Sequence, residues 1–383
     1  MVISIAVAMG LIISPESLII LGNGIGNAGV YFILSIAIAV IFYMPNVIGQ
    51  SVATLAGGEI RLMKATLGPI ASGASSLCSR VAFTICALPV LLSTAGFVLN
   101  ETFVSWFPPF LFAHLLLIVL AALNIAHRKA AEVVQAVLVS LVLSGLLVLS
   151  VTGITSSSIT GSGGETLALT PGIASNFGAM ATAVLLFVGF DLMFLSARRK
   201  PDDARHAINA MMLAAIVFTL WALASFFNVP LDKLQASTIP YSRAARAIMG
   251  AEGRIVIGVV IIAGAASAVN VLLMGVGRMM TELASEGLLP RAFQLGEGRD
   301  AASIVFLAGL PAAFMLLGYA GEPRLLVYVK GALLLWLLHY ALMHLSVILA
   351  LKEKRGGLIY MMSLMGVLVF SASLVVLVYV SEG

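Results

Sequence analysis

"LLFVGFDLMFLSARRKPDD", residues 185–203, sets a glycine and an aspartate at the end of a long apolar run. Gly189 precedes Asp191 by two positions, and a basic cluster opens at Arg198, seven residues after the aspartate. Glycine inside a helix costs about 1 kcal/mol relative to alanine. A carboxylate deep in a bilayer costs at least ~2.5 kcal/mol on insertion scales. Both would lie inside one span if the run crosses a membrane, and a chain that carries both costs there needs a reason for them.

The rest of the chain makes a membrane the natural solvent. Of its 383 residues, 61% are hydrophobic and 10% charged, and the mean hydropathy is +1.11. Soluble domains carry roughly 25% charged residues, so this composition cannot cover a water-facing surface. The apolar runs have the ~20-residue length that crosses ~30 Å of hydrocarbon as a helix. They lack the alternating pattern of ~10-residue barrel strands. The sequence predicts an all-α polytopic membrane protein with eleven spans, near 2–22, 30–55, 70–98, 109–126, 131–153, 173–195, 207–228, 254–277, 303–319, 325–351 and 358–379. Cys78 and Cys86 share the third span and read as small buried hydrophobes. No cleavable signal peptide is evident, because no basic segment or small-residue cleavage site frames the first span.

Charge orients the spans. With the N-terminus in the cytoplasm, the inner segments hold Arg61, Lys64, Arg128, Lys129, Arg198, Arg199, Lys200, Arg205, Arg278, Arg291, Arg299, Lys352, Lys354 and Arg355. The outer segments and their edges hold Lys233, Arg243, Arg246, Arg254 and Arg324. This is the positive-inside bias, and losing or adding one span would spoil it. The net charge of +4 arises mostly in these inner loops, so no nucleic-acid partner is implied. The polar stretch "GITSSSITGSGGET" (153–166) reads as a flexible outer loop, and 228–253 as short surface helices. The stretch 284–303 suits a short helix along the inner membrane face.

Helix breakers fall inside two spans. The first reads "AMGLIISPES" (8–17), with Gly10 and then Pro15, and the sixth carries Gly189 and Asp191. These two spans open two five-helix sets. Irregular backbone inside a membrane is tolerated only where it meets protein or a water-filled cavity. Interrupted helices at matching positions of two halves are the sequence-level mark of a substrate site in a transporter. Half-helix N-termini offer N–H groups to anions, and half-helix C-termini offer carbonyls to cations. Glycine is also common in membrane helices simply as a packing residue, which is the other reading of Gly10.

Five stretches, in order, resemble the amino acid–polyamine–organocation transporters over nearly the whole chain. "GLIISP" (10–15) is similar to the first-helix GxIFxxP pattern, and "LAGGEIRLMKATLGP" (55–69) to the segment that follows the second helix. "ALNIAHRKAAEVVQ" (122–135) resembles the joint of helices four and five. "FVGFDLMFLSARRKPDDARHAI" (187–208) resembles the sixth-helix FxGFE signature with its following loop. "VNVLLMGVGRMMTELASEGLLPRAF" (269–293) resembles the eighth helix and its DGLLP loop. "LLVYVKGALLLWLLHY" (325–340) is nearest in character to the bacterial neutral amino-acid exporters. The resemblance implies a leucine-transporter-type 5+5 inverted repeat with helices 1 and 6 broken. The repeats would cover about 1–153 and 173–351 of a core spanning 1–351, with an additional helix in 352–383. Family members usually have twelve spans, and the eleven here leave the ten-helix core intact.

The resemblance also implies roles. Ala8, Met9 and Gly10 would line the first break and meet a substrate carboxylate through their N–H groups. Phe187, Val188, Gly189 and Phe190 would line the second break with carbonyls toward the amino group. Leu185 stands where some relatives carry an aromatic gate, and Met9 would narrow the pocket. Both favour a neutral, apolar amino acid. Asp191 is either a protonatable coupling residue or part of the cytoplasmic gate, unless it merely snorkels to the interface. The family usually has glutamate there. Arg80 and Lys330, each within a span, read best as snorkelling side chains. His339 and His344 are five apart, which suits packed histidines better than a metal pair. A lysine found in helix 5 of some proton-driven relatives is replaced by Val142. A sodium site would need hydroxyls near Ser267 and Asn270, and only Ser267 supplies one. Proton coupling or exchange is the driving mode that these residues suit, with import and efflux both compatible. No HExxH, GxSxG or phosphate-loop motif points to an enzyme or a cofactor. The implied partners are an amino-acid substrate, protons and a lipid bilayer, in a multi-pass protein of a bacterial cytoplasmic membrane. A sensor or accessory subunit that binds without transport is the remaining reading.

Overall fold

Proline ends the first helix. α1 (Val2–Ile12) stops three residues before Pro15, which opens α2 (Pro15–Ala28). Proline lacks an N–H and its ring clashes with the carbonyl four residues back, so α1 cannot run on. Ser14 caps α2 in an extended conformation, its hydroxyl accepting the Ser17 N–H at 3.5 Å. The two helices meet at 59°. The break therefore lies at Ile13–Ser14, not at Ala8–Gly10. Those three residues sit inside α1, where their N–H groups serve the helix ladder.

The structure is a computed structural model that describes residues 2–156, 173–196, 202–294, 300–351 and 357–382. The first repeat continues with α3 (Val30–Leu55), α4 (Glu59–Leu67), α5 (Pro69–Ser76), a π-helical turn (Leu77–Val81) and α6 (Ala82–Thr102). It ends with α7 (Pro109–Ala126) and α8 (Arg128–Ser156). The second repeat opens with α9 (Ile173–Leu185) and α10 (Leu192–Ser196), separated by a non-helical stretch. It continues with α11 (Asp203–Asn228), α12 (Leu231–Gln235), α13 (Pro240–Ser285), α14 (Ala301–Leu316) and α15 (Pro323–Ala350). α16 (Leu358–Glu382) packs against α15 and α3. Each expected span corresponds to one of these helices or broken pairs.

α13 carries the best-buried span and packs on α8, α6 and α1. Its first leg is a surface helix, as expected for 228–253. It turns at Gly250, whose φ of 59° favours glycine. Among the described residues of 284–303, a 3-10 turn at Arg291–Phe293 stands where a short helix was expected, and 295–299 lie outside the described residues. The outer loop 157–172 lies outside them too, as do Arg198, Arg199, Lys200, Arg299, Lys352, Lys354 and Arg355. Cys78 is exposed and Cys86 half-buried, so neither is the buried hydrophobe the sequence suggested.

Ion pairs respect the charge sorting. Arg61 and Lys64 meet Glu286 at 2.6 and 3.1 Å, and Arg128 meets Asp300 at 3.8 Å. All five residues belong to segments assigned to the cytoplasm.

Candidate functional site

The two breaks touch. Gly189 has φ +95°, and a Cβ built on it would lie 2.4 Å from Cδ2 of Leu11 in the last turn of α1. Both facts demand glycine, one through backbone conformation and the other through space. From Leu186 to Phe194 the backbone runs on i→i+3 contacts, such as Leu186 N–H to Ala183 carbonyl at 3.2 Å and Phe194 N–H to Asp191 carbonyl at 2.9 Å. The break in the sixth span thus falls where the sequence placed it. Two tyrosines fasten it to the neighbouring helices. Tyr43 donates to the Val184 carbonyl at 3.0 Å, and Tyr340 accepts the Gly189 N–H at 3.2 Å.

A narrow apolar pocket of about 50 Å³ lies beside the contact. Leu11, Ser14, Glu16, Ser17, Leu185 and Val188 line one part of it. Leu185 and Val188 are therefore where a site between the breaks would need them. Phe187 and Phe190 face elsewhere: their rings lie 5.9 and 5.5 Å from Tyr43 in an aromatic cluster with Tyr340 and Phe370. Met9 is buried in the core and does not line the pocket. Gly10 packs so closely that a Cβ there would meet Nε2 of Gln135 at 2.3 Å. Packing accounts for that glycine.

A second cavity, of about 380 Å³, opens at the end assigned to the outside. Glu16, Phe97, Glu101, Tyr241, Arg254 and Ile261 are among its walls. Glu16 lines both spaces, so the first turn of α2 is the threshold between them.

At the opposite end lies a buried polar network. Arg80, from the π turn, reaches Oδ2 of Asp191 with Nε at 3.0 Å and Nη2 at 2.5 Å. Its Nη1 and Nη2 reach the two oxygens of Glu59 at 2.9 and 3.1 Å. Tyr340 donates to Oδ1 of Asp191 at 2.5 Å. His339 sets Nε2 against Oε1 of Glu59 and Nδ1 against the Ser75 hydroxyl at 2.6 Å. Gln50 donates to Oε2 of Glu59 at 2.7 Å. Arg80 and Asp191 are both 0% exposed, so neither snorkels. Desolvating such groups costs several kcal/mol each, and only a full set of partners offsets it. Lys330 is exposed, as a snorkelling lysine should be. His344 is buried and stacks on Phe370 at 5.9 Å, while His339 is a network member.

Ser267 and Asn270 belong to a third cluster. Ser267 donates to the Gly10 carbonyl at 3.3 Å and accepts Nε2 of Gln135 at 2.8 Å. That Gln135 amide also donates to the Ala6 carbonyl at 3.2 Å. Asn270 donates to Oε1 of Gln135 at 2.9 Å and accepts from Asn124 at 2.7 Å. An amide thus bridges α1, α8 and α13. One turn away, a Cβ on Gly264 would lie 3.0 Å from the Ile13 carbonyl and 3.7 Å from a Val142 methyl. The surroundings of that carbonyl include the apolar Val142, at the place where the resemblance put the missing lysine.

The sequence matches the amino acid permease family over residues 1–381. The chain belongs to that family. Membership points to transport rather than to enzymatic chemistry. A stretch of 174 residues is 28% identical to the D-serine/D-alanine/glycine transporter of Escherichia coli K12. That match takes in 44% of the permease and 36% of the relative, so the chain aligns with about a third of that protein. Among solved structures, a Na+-coupled sialic acid symporter in a substrate-bound outward-open state aligns with TM-score 0.62 at 11% identity, covering 98% of the permease and 88% of the symporter. Mhp1, a nucleobase–cation symporter, aligns in its closed form with TM-score 0.51 at 12% identity, covering 98% and 92%. These likenesses show the fold, the leucine-transporter type, which the broken helices and the 5+5 order display directly.

Sequence reading did not single out Glu16, Glu59, Gln135, Tyr43 or Tyr340. Glu16 carried a signal: an acid in the first turn after an in-span proline. Glu59 and Gln135 stood inside the family-like stretches but became partners only through folding. Tyr43 and Tyr340 look like ordinary aromatic residues of apolar spans.

Proposed function

We propose that the permease carries small neutral amino acids across the membrane by alternating access between the two broken helices. The observation that carries this reading is the meeting of the breaks at Gly189 and Leu11, beside an apolar pocket. An open cavity lies on one side of it and a buried ion network on the other. This is the arrangement of a carrier closed toward the cytoplasm. The narrow pocket is smaller than the ~300 Å³ of common ligand sites. Substrate entry therefore widens it, and Leu11, Leu185 and Val188 are the side chains at hand to move. Their apolar character selects an apolar substrate side chain. A dicationic substrate finds one carboxylate here, Glu16, and that suits a single ammonium group.

The coupling ion fits a proton better than sodium. The Gln135 amide already bridges the Ala6 carbonyl and Ser267, while Asp191 lies beside the break with a tyrosine and an arginine as partners. Purified permease in proteoliposomes, supplied with radiolabelled leucine, methionine or alanine, tests the reading. Saturable flux that depends on a pH gradient and persists without sodium is expected. Absence of flux with every amino acid tried would sink it.

A further inference from the structure

Among the described residues, the buried network at the end assigned to the cytoplasm holds one positive charge fewer than its negative ones. Two carboxylates, Glu59 and Asp191, face one guanidinium, Arg80, and all three are buried. An unbalanced charge in such surroundings costs several kcal/mol and is usually removed by binding a proton. The network offers two places for it. One is Asp191, whose Oδ1 meets the Tyr340 hydroxyl, itself in contact with the Gly189 N–H at the break. The other is His339, which has Glu59 at Nε2 and the Ser75 hydroxyl at Nδ1. An imidazolium there donates from both nitrogens, and a serine hydroxyl accepts as readily as it donates. Among the described residues, the charged or titratable groups joined to His339 through the network are Glu59 from α4, Arg80 from the π turn and Asp191 from the break, with Tyr340 beside it on α15 and Tyr43 from α3 against the Tyr340 ring.

We propose that this network holds one proton at rest and has two stations for it, with Asp191 facing the substrate break and His339 facing the cytoplasmic end. The proposal rests on the transport reading above and adds His339 to it as a proton station off the substrate path. Arg80 links the stations without passing a proton itself. A proton that binds Asp191 from the break frees Arg80 to serve Glu59 alone. Glu59 then holds the imidazolium less tightly, and the proton on His339 leaves to cytoplasmic water as the seal opens. While the seal is open Asp191 gives its proton to cytoplasmic water, and His339 takes one back from that water as the seal re-forms, so one proton crosses per cycle and charge and atoms balance.

Two measurements test the proposal. In the first, proteoliposomes with wild-type or His339→Gln permease are assayed for amino-acid counterflow and for accumulation driven by a pH gradient. Glutamine keeps a hydrogen bond to Glu59 but cannot carry the charge. Counterflow within about two-fold of wild type, with gradient-driven accumulation lost, is the expected result. Gradient-driven accumulation retained by the variant would overturn the proposal. In the second, thermal unfolding of both proteins is followed from pH 5 to 8. Wild type should gain stability toward acid, and the variant should lose most of that slope. Superimposable slopes would equally overturn the proposal, whatever the substrate. Should the variant not fold, wild-type flux read with an internal pH dye decides the matter. One proton per amino acid is expected, and none would refute it. Wild-type protein without counterflow would strike at the transport reading, while the pH slope reports on the proton stations alone.

Discussion

Arg80 and Asp191 are joined by two hydrogen bonds, from Nε at 3.0 Å and from Nη2 at 2.5 Å, with both side chains 0% exposed. The pair ties the third span to the break in the sixth. Because Glu59 takes the other side of the guanidinium, the two ends of the pair are not equivalent.

Removing Arg80 strands two buried carboxylates, whereas removing the Asp191 charge leaves Arg80 balanced by Glu59. Arg80→Met should destabilise the permease by about 3–5 kcal/mol, the cost of breaking a buried pair. Asp191→Asn should fold but lose transport at least about ten-fold, or lose its pH dependence. Thermal unfolding in detergent and proteoliposome flux read the two outcomes. Wild-type flux with normal pH dependence in Asp191→Asn would remove the residue from the mechanism.

Gly189→Ala meets both Leu11 and an unfavourable φ. A cost of about 1–3 kcal/mol follows from the backbone conformation alone. Adding Leu11→Ala relieves the collision and not the φ, so the double variant should recover only part of the loss. Full recovery would show that space, not conformation, fixes this glycine.

Glu16 is the threshold carboxylate between the two cavities. Glu16→Gln should raise KM for a zwitterionic amino acid about ten-fold or more, with the fold kept. Charge-assisted hydrogen bonds contribute roughly 1.5–3 kcal/mol where neutral ones give about 1, which supports that size of effect. An unchanged KM would take Glu16 off the substrate path.

At the cytoplasmic surface, hydrogen bonds from Arg61 and Lys64 hold the Glu286 carboxyl below its ordinary value of 4.5. The folded value is the lower one, so the contact stabilises the folded state above the ordinary value. That contribution disappears as pH falls through the lowered range. Arg61 is exposed and Lys64 partly so around a half-buried Glu286, which limits the effect to about 0.2–1 kcal/mol and makes it salt-sensitive. Glu286→Gln should match wild type below that range and fall short of it near neutrality. A difference that persists in strong acid would point to packing instead.

The sequence by itself determined the solvent, the spans, their charge-sorted ends and the break after Leu185. Each follows from local properties: apolar length, lysine and arginine placement, and a glycine next to an acid. It placed the first break at Gly10, where the fold has it at Ile13–Ser14. The reason is that Pro15 acts on the turn before it, while Gly10 serves the close approach of Gln135. Asp191 was legible as an odd carboxylate. Its partners were not, because Arg80 stands 111 positions away and Tyr340 149. Read alone, Arg80 and His339 looked like a snorkelling cation and a packed ring. Only the tertiary structure decided otherwise, since a buried charge is tolerable only beside its counter-charge, and folding alone brings Glu59, Arg80, Asp191 and His339 together.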